Sequence, residues 1–206
     1  MRCPLLGGAG TVAWGAGDLP AAVTGWMAFL VLTIAAERRE LTQMFRLPAF
    51  ARRLFVAIIA VSLVAVALAT AAAFGAAANA FASGFWWASC AVLALWLLRW
   101  DIAPRQWGSP GWRGHTAQCL SIGYSWLLAG SLLGLAGLRW PGGGTALALH
   151  AVSLGFVVAV FGHAPIILPA LIGVRPAYFA SARAPIWILS ASLLLRGVAA
   201  SEGSRE

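Results

Sequence analysis

The sequence predicts an all-α fold, a polytopic transmembrane helical bundle with about six transmembrane helices. Three observations carry this. Hydrophobic residues fill 61% of 206 positions, charged residues only 10%, and the mean hydropathy is +0.85, too apolar for a water-soluble domain. The charges are gathered in short clusters between apolar runs. Most of those runs approach or exceed the ~20 residues a helix needs to cross a bilayer. The chain therefore reads as a single transmembrane domain over residues 1–206, with helices near 19–45, 54–78, 81–98, 116–138, 145–172 and 185–200.

All fourteen basic residues are arginines, set against six acids, and they lie mainly at the ends of the apolar runs. That placement fits a membrane protein with basic connections and excludes a nucleic-acid surface. The expected partner is the lipid bilayer, joined by a second half-protein or a second copy of the chain. Cys3, Cys90 and Cys119 form no close-spaced pair, so neither a disulfide framework nor a zinc knuckle is implied, and they read as small packing residues.

The first twenty residues are Gly-rich and only weakly apolar, a poor match to a signal peptide, and read as a frayed entry segment. Leu19 to Ala36 supplies the first span. Its helix runs on through the charged Glu37-Arg38-Arg39-Glu40, a solvated interface anchor, toward Leu47-Pro48, where proline disfavours helical backbone in the residue before it. In the second span Ala65, Ala69 and Ala73 recur every four residues and predict close approach to a neighbouring helix. Phe85-Trp86-Trp87 and Trp96 with Trp100 bracket the third span as an aromatic belt. Asp101 to His115 is rich in Pro and Gly and reads as a polar loop, which places His115 in a loop. In the fourth span Gly130 and Gly134 make a small-xxx-small packing pair. The sixth is short and carries Arg196.

Six spans fix an orientation by counting. Connections after spans one, three and five hold ten arginines, and the other side, both tails included, holds four. The positive-inside rule then puts both termini outside the cytoplasm of a bacterial inner membrane. An outside N-terminus without a convincing signal would follow naturally if earlier helices of a longer protein delivered it there.

The fifth span is the segment of chemical interest. Thr145 to Val174 contains no Asp, Glu, Lys or Arg, yet carries His150 and His163. Ionisable side chains inside a membrane cost free energy and mark candidate sites. His150 lies about 9 Å in from Gly144, and Arg196, near the outer end of the sixth span, belongs to the same layer. His163 is thirteen residues further on, about 20 Å deeper and roughly 220° round the helix, so the two imidazoles cannot share one metal ion. Pro165 and Pro169 remove backbone donors and predict a kink at Gly162-His163-Ala164-Pro165, where His163 either closes the freed carbonyls or serves a metal.

The stretch HAVSLGFVVAVFGHAPIILPALIGV, with FLVLTIAAERREL at Phe29 to Leu41 and ILSASLLLR at Ile188 to Arg196, resembles the C-terminal half of NnrS-like bacterial membrane proteins and, more remotely, subunit I of heme–copper oxidases. The resemblance implies half of a twelve-helix fold associated with heme or copper. It matches His150 and His163 to the two motif histidines, and Glu37 and Arg39 to charged positions upstream. Within it, one heme would take His150 as axial ligand and Arg196 beside a propionate, with His163 as the metal candidate. Three histidines in the whole chain fall short of the six an oxidase centre uses, so a complete oxidase is excluded for this chain. With no Ser-His-Asp set, no phosphate loop and no paired carboxylates within the spans, no catalytic residue is assigned. A half-module of a transporter or channel, built around the proline kink, is the alternative expectation, and a structural membrane subunit is the third.

Overall fold

A computed structural model describes residues 4–42, 46–75, 79–139, 144–162, 164–165, 169, 173 and 177–203. Its described residues are mainly helical with no strand among them, and six helices are long and apolar enough to cross a membrane. The protein is a multi-pass α-helical membrane protein. The chain divides into two compact units, Met1–Trp96 and Leu97–Glu206.

The first unit opens with a correction. Residues Pro4–Gly15 form a helix, α1, where a frayed segment is expected. At twelve residues it is too short to span. It exists because it has a partner: a Cβ at Gly25 of α2 (Leu19–Thr42) would lie 2.6 Å from Gly10 Cα, so the two backbones meet with nothing between them. Trp26 covers Gly10, and Ala13 joins Ala21, Ala22, Ala69 and Ala82 in one cluster of small side chains. A Gly/Ala surface looks featureless in sequence, yet in lipid, where helices gain little from hydrophobic exclusion, such close contact is what holds them together. Asp18 starts α2 by accepting the Ala21 N–H at 2.9 Å, a helix cap.

Along α2, Ala21, Ala28, Leu32 and Ala35 line one buried face, and Arg38 continues it. Arg38 is therefore buried rather than solvated, while Glu37 and Glu40 are exposed and the Arg39 guanidinium lies 6.0 Å from the Phe55 ring centroid. Helix α3 (Ala49–Ala72) starts five residues earlier than expected, directly after Pro48, whose extended backbone leads into the first turn. Its Ala65 and Ala69 are buried and Ala73 packs against the same cluster, as the four-residue spacing predicts.

Helix α4 (Asn79–Trp100) corrects the aromatic belt. Trp86, Trp87 and Trp96 are buried, and Trp96 Nε1 donates to the Ala51 carbonyl at 2.9 Å with its ring 4.8 Å from Phe55. Trp86, Cys90, Leu93 and Leu97 recur every three to four residues, so these indoles lie on the packed face, and the outward position is Phe85. Ser62 of α3 and Ser89 of α4 share a buried 2.9 Å hydrogen bond.

In the second unit a 3₁₀ turn, Ala103–Gln106, leads to α5 (Gly111–Gly137), which begins five residues before the expected 116. Gly111 enters with φ +66, a conformation suited to glycine. Helix α6 follows over residues 144–161: α-helical to His150, π-helical over Ala151–Val158, then α-helical to Phe161. A 3₁₀ turn, Ala180–Arg183, precedes α7 (Ala184–Gly203). Helices α5 and α6 run face to face: a Cβ on Gly130 would meet Val152 and the Ala148 carbonyl, and one on Gly123 would meet Ala159. The expected Gly130 and Gly134 face is thus a packing face. Large apolar side chains such as Val56, Leu95, Ile188, Leu194 and Leu195 are exposed on the spans, which suits contact with lipid chains.

Candidate functional site

The histidine helix closes where the expected kink begins, at Gly162, and His163 with residues 166–168 lies outside the described residues. The helix widens into the π segment before the prolines, and its α-helical part closes at Phe161 with a tight turn in which Gly162 N–H donates to the Ala159 carbonyl at 3.0 Å. The π segment wraps round Trp126 of α5, whose indole sits where a Cβ on Gly155 would be, at 2.5 Å. The same indole donates from Nε1 to Ser190 Oγ of α7 at 3.1 Å, so one tryptophan sets the spacing of three helices. π-Helical turns inside α-helices are frequent at functional positions.

His150 ends the first α-helical part of α6. Its ring is half-buried and Nδ1 lies 2.7 Å from the Ala146 carbonyl. A carbonyl only accepts, so Nδ1 carries the proton and Nε2 keeps its lone pair. Arg196 is exposed on α7, one residue from Gly197, which approaches Leu147 of α6. That contact puts Arg196 within about one helical turn of the level of His150. His163 lies outside the described residues, and among those described no group of three or more His, Cys, Asp or Glu side chains gathers as for a metal ion.

The concentrated chemistry lies at His115, which the sequence reading assigned to a loop. It occupies the second turn of α5 and is only 6% exposed. The connection before α5 folds back so tightly that the Ser109 carbonyl occupies the place of a Cβ on Gly114. That contact fixes the first turn of α5 and with it the direction of Trp112 and His115. Trp112, His115 and Cys119 follow at steps of three and four and so share one face. The Trp112 and His115 rings meet edge to face at 5.3 Å, and Tyr178 and Phe179 pack edge to face on the same Trp112 at 5.2 and 5.7 Å.

One imidazole nitrogen, Nε2, lies 3.6 Å from Cys119 Sγ; the other, Nδ1, is buried with no hydrogen-bond partner among the described residues. Cys119 is itself pressed against Gly162, where any side chain would collide with its sulfur. These groups line a cavity of about 650 Å³ with walls from Val158, Phe161, Phe179, Ile186 and Leu189. Among the described residues no carboxylate lines it.

Arg183, at the end of the 3₁₀ turn, completes the arrangement. Its guanidinium is 5.9 Å from the Tyr178 ring centroid, packs toward Gly114, and lies within electrostatic reach of His115. Its Nε is buried and, like His115 Nδ1, has no partner among the described residues. His115 lines the apolar cavity and Arg183 stands next to it in space, directly after the lining residue Ala182, and each has unused hydrogen-bonding capacity. The sequence signal that could have found His115 is the Trp112, His115, Cys119 spacing, which the flanking Ser109-Pro110-Gly111 turn signal outweighed.

Residues 3–206 match the model of a family described as a domain of unknown function, DUF8744, and the chain belongs to that family. No curated protein and no solved structure matches the chain.

Proposed function

We propose that this DUF8744 member is a bacterial inner-membrane protein that binds a lipid-soluble small ligand in the cavity beside His115. The observation that carries the reading is the buried His115 imidazole, lining an apolar cavity of about 650 Å³ with Nδ1 unpartnered among the described residues. A buried polar group without a partner costs about 1–3 kcal/mol, so a ligand that supplies an acceptor recovers part of that cost. The volume falls within the ~300–1,000 Å³ typical of small-molecule sites, and the mix of apolar walls with few polar groups is usual for them. Binding, rather than nucleophilic chemistry, fits the side chains present.

The positive-inside count supports a cytoplasmic position for this end of α5, which has Arg105 and Arg113 nearby in sequence and Arg183 beside Gly114 in space, with both termini outside. Alkaline phosphatase fused after Gly203 should then be active and a fusion at Gly108 inactive; the reverse would invert the topology. The binding reading is tested by native mass spectrometry of protein released from detergent. An adduct retained by the wild type and lost when Leu189→Trp fills the cavity supports it, and an adduct indifferent to Leu189→Trp removes it.

A second reading rests on His150. Its Nδ1–H is held by the Ala146 carbonyl, which leaves Nε2 free as a ligand atom, the arrangement by which backbone carbonyls orient metal-bound histidines. Together with Arg196 within about one turn of its level, this supports the heme association that the NnrS-like resemblance implies: His150 would hold the iron and Arg196 a propionate. Bound heme would supply redox chemistry or diatomic-ligand binding. A Soret band in protein from heme-supplied cells, lost in His150→Ala while that variant stays monodisperse, supports this reading; a colourless wild type ends it.

A further inference from the structure

The cavity beside His115 has a chemical polarity that narrows its ligand. Its walls are aliphatic and aromatic along most of their extent, from Val158 and Phe161 to Ile186 and Leu189. At one end stands His115, with Arg183 behind it beside Gly114 and directly after the lining residue Ala182, and each has a buried nitrogen with no partner among the described residues. Among the described residues no Asp or Glu lines the cavity to balance the guanidinium. A cation at that end would meet repulsion and a neutral apolar head would leave both donors unused. With the imidazole proton on Nδ1, an acidic head satisfies both at once, and charge-assisted hydrogen bonds are the stronger kind.

Position along the helix agrees. Helix α6 pairs with α5 from Gly137 up to Cys119, which meets Gly162, and His115 lies one turn, about 6 Å, beyond that contact. Arg113, Arg183, Trp112 and Tyr178 cluster at this level, the combination of cations and amphipathic rings found where a span meets the headgroups. A ligand with its tail among Val158, Ile186 and Leu189 would thus have its head at the depth of neighbouring lipid headgroups.

Resting on the binding reading above, we infer that the ligand is a single acyl chain bearing an acidic head, with the chain in the apolar cavity and the head at His115 and Arg183. The volume suits one chain better than a two-chain lipid. A free fatty acid offers a carboxylate and a lysophospholipid a phosphate; the donors accept either.

The test uses the full chain in neutral detergent and three brominated probes: a brominated stearate, its methyl ester, and a brominated single-chain phosphatidate. Bromine quenches nearby indoles, and the component of quenching absent from Trp112→Phe reports this cavity. The acids should half-saturate that component at concentrations about tenfold or more below the ester, as expected for charge-assisted bonds. Arg183→Gln should bring the acids to the level of the ester while leaving the ester unchanged. The better of the two acids identifies the head.

Acid and ester binding alike in the wild type overturns the inference, whatever Arg183→Gln does, and this comparison stands even if that variant fails to fold. If Leu189→Trp then still abolishes quenching by every probe, the cavity remains a binding site and only the acidic head is lost. Quenching that ignores both Trp112→Phe and Leu189→Trp removes the cavity itself.

Discussion

Tyr124 Oη donates a 2.5 Å hydrogen bond to Asp101 Oδ2, and both residues are fully buried. The bond ties the residue that follows α4 to the middle of α5. A buried carboxylate is tolerated only when it is hydrogen-bonded, because its desolvation is not otherwise offset. Tyr124→Phe removes the donor while keeping the ring, which lies 6.3 Å from Phe156. The expected loss is about 1–3 kcal/mol, read as unfolding at a lower dodecyl sulfate fraction in mixed micelles. Unchanged unfolding would mean that the remaining surroundings of Asp101 carry it alone.

Gly155 and Trp126 make a second sharp prediction. A methyl group at 155 would overlap the indole at 2.5–2.6 Å, so Gly155→Ala must displace Trp126 or the π-helical segment. Overpacking of this kind costs about 1–3 kcal/mol. The displaced indole would also lose its bond to Ser190, and α7 would loosen from α5. In a double-mutant cycle, Trp126→Ala should absorb most of the cost of Gly155→Ala, since neighbours in contact are not additive. Additive effects would show that the overlap is relieved elsewhere.

The spans were legible because length and apolar content alone decide them. The packing faces of Ala65, Ala69 and Gly130 were legible too, because small residues at four-residue steps have one evident use. Three features were not. Helix α1 is held by a Gly10 to Gly25 contact with α2, and its Gly-rich sequence looks like flexible chain until that partner is in place. Trp86, Trp87 and Trp96 stand near span ends, where indoles usually meet water, and their burial depends on neighbours the local sequence does not name. His115 follows a Ser-Pro-Gly turn signal that masks the five residues by which α5 begins before 116. The two histidines that attracted attention lay in the most apolar run, where a charge is conspicuous, whereas His115 became buried through the folding-back of Ser109 onto Gly114.

The contact between α1 and α2 can be broken at one atom. A Cβ at Gly25 would lie 2.6 Å from both Gly10 Cα and N, backbone atoms that cannot turn aside as a side chain can. Gly25→Ala should therefore free α1 while α2, whose Asp18 cap is untouched, stays formed. Amide exchange over residues 4–15 should accelerate toward the rate of an unprotected segment, with little change over 26–42. Equal protection of α1 in both proteins would show that Trp26 over Gly10, not backbone contact, secures it.

Within the first unit, two polar contacts differ in expected worth. Ser62 and Ser89 share a buried 2.9 Å bond, but each hydroxyl also has a carbonyl of its own helix in reach, Ile58 at 2.9 Å and Trp86 at 2.8 Å. Ser62→Ala thus leaves Ser89 satisfied and should cost about 0.6 kcal/mol, the average for such interhelical bonds in a membrane. Trp96→Phe is different. It removes the indole donor that the Ala51 carbonyl holds in the first turn of α3, and it leaves a void beside Phe55. Its cost should reach about 2 kcal/mol or more. Side-by-side unfolding in mixed micelles should therefore rank Trp96→Phe well below Ser62→Ala in stability. The opposite order would mean that the serine pair, rather than the indole, fixes how α4 sits on α3.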